Sequence, residues 1–219
     1  MVSEHEERLC EVIRQFGENG LLDSVIVIGS WATYFYQKIY DGFIPTIRTF
    51  DVDFYIPNTR NIRVKKTVNE ILKPINFDQR FDTDSEKSKF VSPEGFEIEF
   101  LTKLVRGECK VVKISSLGVN AETLGNLEIF DRRYITIDFE GHSLKVASPS
   151  SYVIQKILIA DKRTVEKRKK DLESIRIVLI ELNKHKIQID DFKSIIDSFG
   201  VKRKRKVLAY LELNDLRIK

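Results

Sequence analysis

The stretch VIVIGSWATYF, residues 25–35, joins two apolar elements through a single Gly-Ser pair. Val25 to Ile28 is a short β-branched run of the kind that forms a buried strand, and Trp31 to Phe35 has the character of the buried start of a helix. Only Gly29 and Ser30 separate them. Such a turn can be plain packing, with Ser30 as a helix cap. It can also aim backbone N–H groups at a phosphate lying above the strand end. The residues that follow decide between these readings.

Thr49 to Ile56 alternates with a period of two: Phe50, Val52, Phe54 and Ile56 on one side, Thr49, Asp51, Asp53 and Tyr55 on the other. The alternation predicts a strand with Asp51 and Asp53 on one face, a few ångströms apart, while the phenylalanines face the core. Two adjacent carboxylates raise each other's proton affinity unless a cation intervenes. Mg²⁺ suits them, because it takes oxygen ligands and binds through one or two carboxylates together with substrate phosphates. An Asp-x-Asp pair alone also fits an exposed strand face. Phe96-Glu97-Ile98-Glu99-Phe100-Leu101 repeats the arrangement. If that strand lies beside Thr49 to Ile56, one of its acids completes a three-carboxylate site able to serve two metals; otherwise Glu97 and Glu99 merely keep one sheet face wet. Glu99, nearer the apolar end, ranks ahead of Glu97.

Around this centre the chain reads as mixed α and β. Ser3 and Glu6 form a capping-box pattern ahead of Leu9, Val12, Ile13 and Phe16, so the chain opens with an amphipathic helix ending at Gly17 and Asn19-Gly20. A helix over Trp31 to Tyr40 presents aromatics that pack into the core or form a dimer surface. A further helix is predicted over Asn61 to Leu72, closed by Pro74. Strands follow at Phe77 to Phe81, Lys89 to Val91 and Phe96 to Leu101, and Tyr134 to Phe139 with Ser143 to Val146 read as a hairpin. From Ser148 the pattern is helical: Pro149 to Ala160, Thr164 to Leu182, Asp191 to Phe199 and Arg203 to Leu216. The boundary falls near Ala147, giving an α/β domain over residues 1–147 and a helical domain over 148–219 that packs against it.

Composition narrows the setting. With 219 residues and 42% hydrophobic content the chain can bury a real core. Its longest apolar runs fall short of the roughly 20 residues a membrane span requires, and MVSEHEERL lacks the apolar centre of an export signal. Two cysteines, Cys10 and Cys109, read as structural thiols in a reducing, cytoplasmic setting. His5, His142 and His185 have no zinc-ligand spacing. The net charge of +4 is unevenly spread: Lys162-Arg163, Lys167 to Lys170 and Lys202 to Lys206 form basic clusters. Each is either a solvated helix face or a surface for polyphosphate or nucleic acid.

The order of strand, Gly29-Ser30, helix, a strand with Thr49-Phe50-Asp51-Val52-Asp53-Phe54 and a later strand bearing Glu99 resembles the nucleotidyltransferase fold. That pattern is Gly-Ser or Gly-Gly-Ser, then Asp-x-Asp or Asp-x-Glu, then a third acid. Pro149 to Leu158 and Lys169-Lys170-Asp171-Leu172 are similar to the helical region of nucleotidyltransferase-like proteins, AbiEii-type toxins included, so the resemblance covers roughly residues 20–180. It implies an α+β fold in which a mixed sheet flanked by helices is followed by a C-terminal helical region. It also implies that Gly29 and Ser30 hold nucleotide phosphates, with Trp31 flooring the site. Asp51, Asp53 and Glu99 would then ligate Mg²⁺, Mn²⁺ being a possible substitute, and Glu99 would help activate the acceptor hydroxyl. Lys156 corresponds to the helix lysine that reaches the triphosphate, although in its apolar surroundings it equally reads as a snorkelling flank lysine. Arg163, Lys169 and Lys170 are weaker candidates for phosphate or RNA contacts. Three departures stand out: a Glu in the third position where Asp is commoner, a single Gly in the turn, and the long segment Pro57 to Gly95 between second and third acids.

Two functions follow from the resemblance. One is a Mg-dependent transferase moving an NMP from an NTP to an RNA or protein hydroxyl, for which the resemblance offers a toxin-like role and an antitoxin-like partner. The other is a catalytically weak or inactive relative that binds nucleotide, nucleic acid or a partner protein. Clustered acids beside a phosphate site make sense when a cation reconciles them, which favours the enzyme.

Overall fold

The computed structural model describes residues 4–45, 49–104 and 111–219. Ser3 of the capping pattern and Cys109 therefore lie outside the described residues. The chain opens with α1, Glu4–Glu18, whose Leu9, Val12, Ile13 and Phe16 are buried at helical spacing. β1 is Ile26–Ile28, buried throughout, and the residues after it form α2, Ala32–Phe35, continued by a 3-10 turn over Tyr36–Lys38. The expected ten-residue helix is thus two short pieces. Its aromatics serve the core: Tyr36 and Tyr40 are buried, and the Tyr36 hydroxyl donates to the Ala147 carbonyl at 2.9 Å.

β2, Asp51–Ile56, is the strand that the alternation predicts, with two corrections to its ends. Phe50 is largely exposed, because it precedes the strand. Tyr55, on the side expected to be wet, is fully buried and donates to Asp131 at 2.5 Å. The helix expected over Asn61 to Leu72 shrinks to α3, Val68–Leu72, because Thr67 and Glu70 form a capping box that starts it late. β3 (Asp78–Phe81), β4 (Ser88–Val91) and β5 (Glu97–Lys103) follow close to the expected positions. β6 (Val111–Ile114) and β7 (Val119–Leu124) were not individually expected. β8 (Tyr134–Phe139) and β9 (His142–Ala147) form the expected hairpin.

Among the described residues the strands make one nine-stranded mixed sheet in the order β3-β4-β5-β2-β1-β9-β8, with β7 beside the end of β5 and β6 beyond it. Strands β1 and β2 are antiparallel, whereas β2 and β5, far apart in sequence, are parallel neighbours. One sheet face is the core. Phe16 of α1 packs on Phe54 and Phe100, and Trp31 packs on Phe96. The other face carries the polar alternates of β2, β4 and β5.

At Ser148 the chain turns wholly helical. Ser148 caps α4, Pro149–Ile159, with Pro149 in the first turn, and Thr164 caps α5, Val165–Leu182; each cap of this kind stabilises by about 1 kcal/mol. α6 (Lys186–Asp197) and α7 (Val201–Leu213) begin earlier than the sequence pattern indicates. α4 is buried on nearly all sides, packed by α5, α6 and α7, and one apolar cluster runs from Leu9 through Phe54 and Ile154 to Leu211. No helix among the described residues is long and apolar enough to cross a membrane.

Candidate active site

The polar sheet face and the α4–α5 helices enclose a cleft of about 640 Å³. Its rim at the end of β1 is the Gly29-Ser30 turn. Gly29 has φ 67°, the left-handed region that glycine occupies without strain. A Cβ at this position would overlap Asp53 Oδ2. The turn therefore lies directly against the second acid of β2, as the register of Ile28 with Asp53 requires. The helix that follows has only four residues, too short to supply an appreciable dipole. The anchor of this turn is local: Thr33 N–H and Thr33 Oγ1 both donate to the Ser30 carbonyl, the latter at 2.8 Å.

The parallel register sets Asp51 beside Glu97 and Asp53 beside Glu99. Four carboxylates from two strands thereby share one sheet face, and all four line the cleft. Burial pushes Asp53 up to about 7, reinforced by the negative charges of Asp51 and Glu99 and partly offset by Lys156 and Arg163. Burial also raises Asp51, helped by Glu99 and Glu97 and opposed by hydrogen bonds from its own backbone and from Thr49. Among the described residues neither Asp51 nor Asp53 has an ion-pair partner within 4.0 Å, and the offsetting charges on Asp53 are those of Lys156 and Arg163.

Glu99 is differently placed. Lys89 reaches Glu99 Oε1 at 3.0 Å and Glu97 Oε2 at 2.8 Å. Lys87 reaches Glu99 Oε2 at 3.4 Å and Glu122 Oε2 at 3.2 Å. Both oxygens of the third acid are thus engaged by ammonium groups. Consistent with that, no three His, Cys, Asp or Glu side chains among the described residues are gathered as a metal-binding group. The oxygen chemistry of Asp51 and Asp53 and their unbalanced charge suit a hard divalent cation. Glu99 is one strand away and shares its charge with two lysines.

Lys156 stands on the opposite wall. It is buried, bonded to Asp171 Oδ1 at 2.7 Å, and its Nζ lies 5.6 Å from the centre of the Tyr152 ring. Burial alone would lower its proton affinity, but Tyr152 and Asp171 carry it above the ordinary lysine value. Arg163 Nε shares the same carboxylate at 3.2 Å. Lys156 is therefore no snorkelling flank lysine; it is an interior ion-pair member that also lines the cleft. Lys170 lines the cleft and Lys169 does not. Trp31 is not a floor either: its ring is buried in the core against Phe96, and its Nε1 has no partner among the described residues. Cys10 is free and half-buried, with its thiol pushed up by burial and by the negative charges of Glu140 and Glu6.

Sequence reasoning missed Lys87, Lys89, Glu122 and the partnership of Asp171 with Lys156. A partial signal existed for the last: Lys156 is an isolated charge in an apolar helix run, whereas Asp171 follows a run of basic residues that hides it. For Lys87 and Lys89 the only signal is strand register, which depends on how β4 pairs with β5.

The sequence profile of a family described as Nucleotidyltransferase matches residues 7–198. Among solved structures, the solution structure of the antibiotic-resistance factor ANT(2'')-Ia is similar over 98% of this chain and 98% of that one, at 13% identity and a TM-score of 0.53. That likeness shows the fold. A crystal structure of an antigenic nucleotidyltransferase-like protein from Paracoccidioides brasiliensis aligns over 97% of this chain and 94% of that chain, at 18% identity and a TM-score of 0.47. A crystal structure of ANT(2")-Ia in complex with adenylyl-2"-tobramycin aligns over 86% and 96%, at 14% identity and a TM-score of 0.45. No curated protein matches the sequence.

Proposed function

The chain belongs to this nucleotidyltransferase family, and on that premise we propose that it transfers a nucleoside monophosphate from an NTP to a hydroxyl of RNA or protein in a Mg²⁺-dependent reaction, Mn²⁺ substituting. The observation that supports this reading is the convergence, on one 640 Å³ cleft, of the Gly29-Ser30 turn, the Asp51/Asp53 pair, Glu99 and Lys156. In this reading residues 1–147 form the domain that carries the acids, and residues 148–219 form the helical domain that supplies the cationic wall.

Asp51 and Asp53 hold the divalent ion, with Glu99 the adjoining third acid. When bound, such an ion neutralises the carboxylates and the phosphate oxygens and polarises the α-phosphate. The rest of the work falls to the chain. Gly29, lacking a side chain, leaves Asp53 its place and lets phosphate approach the backbone at Ser30. Lys167 and Lys170, three residues apart on α5, share one helix face toward the triphosphate, and Arg163, in the extended turn just before that helix, lines the cleft beside them. Asp171 fixes Lys156 and Arg163 so that they meet the leaving pyrophosphate without first having to be ordered. Glu99 accepts the proton of the attacking hydroxyl. A toxin-like role, with an antitoxin-like partner and a cytoplasmic NTP supply, is the biological setting this reading suits.

One observation favours the weaker alternative, a catalytically slow relative that binds nucleotide or a partner: Glu99 is occupied by Lys87 and Lys89. Pyrophosphate release measured with each of the four NTPs, with and without Mg²⁺ and in the presence of total cellular RNA or protein extract, separates the two. Metal-dependent release that requires an acceptor supports transfer. NTP binding with no release above background supports the alternative.

A further inference from the structure

Four directly paired positions form a row across the sheet. Ile28, immediately before the Gly29-Ser30 turn, pairs with Asp53; Asp53 pairs with Glu99; Glu99 pairs with Lys89. With neighbouring strands about 4.8 Å apart, Lys89 starts roughly 10 Å from Asp53, on the side away from the turn. Lys87, two residues before Lys89 and immediately ahead of β4, reaches the same Glu99 carboxylate, and both lysines line the cleft. An in-line transfer places the leaving pyrophosphate and the attacking hydroxyl on opposite sides of the α-phosphorus. With the pyrophosphate at the Gly29-Ser30 end, the acceptor enters from the lysine end.

We propose that Lys87 and Lys89 form a phosphate-binding subsite for the acceptor, so that the molecule receiving the NMP carries a phosphate group near its attacking hydroxyl. The inference rests on the transferase reading above and names its acceptor class. Donor arithmetic supports it. An ammonium has three N–H donors. Lys89 uses two, on Glu97 and Glu99, and Lys87 uses two, on Glu99 and Glu122. Each keeps one N–H for an incoming anion, and each is already held in place by carboxylates on two sides, so little side-chain freedom is lost on binding. Their side chains are 22% and 29% exposed, which leaves the tips accessible from the cleft. The acids of this floor are all engaged by those same lysines. An acceptor rich in ammonium groups therefore finds no unengaged carboxylate among Glu97, Glu99 and Glu122, whereas a phosphate finds two fixed cations. Three glutamates outnumber the two lysines, so the floor contributes direction through its N–H donors and little net attraction, and the acceptor must draw its affinity from other contacts.

The test compares the wild type with Lys87→Gln/Lys89→Gln and Lys87→Arg/Lys89→Arg, all checked for folding by thermal melting. Labelled NMP transfer is followed to a 5'-phosphorylated oligoribonucleotide, to ribose 5-phosphate, to ribose and to a protein extract. Equilibrium binding of the oligoribonucleotide and of a fluorescent NTP is measured in parallel. The expected result is a tenfold or greater rise in KM, and a matching loss of binding, for the phosphate-bearing acceptors in the Gln variant. NTP affinity stays within about twofold, and the Arg variant restores most of the loss. Preference for the oligoribonucleotide over ribose 5-phosphate identifies a polynucleotide as the source of the phosphate, and the reverse identifies a small phosphate ester. Equal KM in the Gln variant, an equal effect on ribose, transfer confined to protein hydroxyls, or a loss of NTP affinity instead overturns the proposal. If the wild type transfers to nothing, the transferase reading has failed, and the oligoribonucleotide binding measurement still decides the subsite.

Discussion

Gly29 and Asp53 are in contact across β1 and β2, and a Cβ at residue 29 would overlap Asp53 Oδ2. Gly29→Ala therefore carries two penalties: a left-handed backbone at φ 67°, costing about 1 to 2 kcal/mol for a side-chain-bearing residue, and displacement of the second acid. A shift of about 1 Å in a reacting group can reduce rate by about 10²-fold, and that loss in kcat/KM is expected in a protein that still folds. Gly20 is the control. It too has positive φ, at 75°, but a Cβ there meets nothing within 4 Å, so Gly20→Ala is expected to lower the melting temperature without affecting transfer.

The charge state of Asp53 gives a pH prediction. Its folded value of about 7 lies above the ordinary 3.8, so between those values the folded chain retains a proton that the unfolded chain has lost. Stability of the metal-free protein must then decline as pH rises through that window and level off above about pH 7. The full effect is on the order of 4 kcal/mol. Thermal melts from pH 4.5 to 8 should show the decline in the wild type and a flatter profile in Asp53→Asn. Added Mg²⁺ should raise the melting temperature more at pH 8 than at pH 5, because protons compete with the cation for Asp53. A Mg²⁺ effect independent of pH would contradict this assignment.

Lys156 and Asp171 form a buried pair, and breaking one usually costs about 3 to 5 kcal/mol. The two single variants should differ. Lys156→Met leaves Asp171 with Arg163 at 3.2 Å, whereas Asp171→Asn leaves the Lys156 charge buried and weakly held. Asp171→Asn is expected to be the more destabilising, and Lys156→Met/Asp171→Leu to recover part of the loss. Urea melts of the three variants measure this. Fluorescent NTP binding by folded Lys156→Met separates the roles further: weakened binding at unchanged fold marks contact with the triphosphate.

Much of this arrangement was legible in the chain. The alternation of Thr49 to Ile56 locates Asp51 and Asp53 because a strand has a strict period of two and one face must be buried. Val25 to Ile28 is legible for a different reason: it is an unbroken β-branched run, buried on both faces. Phe50 and Tyr55 depart from that alternation because the ends of a strand answer to tertiary contacts: Tyr55 is drawn inward by a hydroxyl partner, Asp131. The short helices resisted reading because α2 and α3 owe their lengths to packing and capping, not to periodicity. Within the site, Glu99 is readable as an acid on a strand, but its capture by Lys87 and Lys89 is set by pairing between strands, and β7 brings Glu122 to Lys87 from further along the chain. Sequence spacing does not encode such meetings.

The central claim is tested most directly by incubating the protein with each α-labelled NTP, Mg²⁺ and cellular RNA or extract, and comparing the wild type with Asp51→Ala/Asp53→Ala. The account predicts label transferred to an acceptor by the wild type and reduced to background by the double variant, with both proteins melting cooperatively. Equal labelling by the double variant would contradict it.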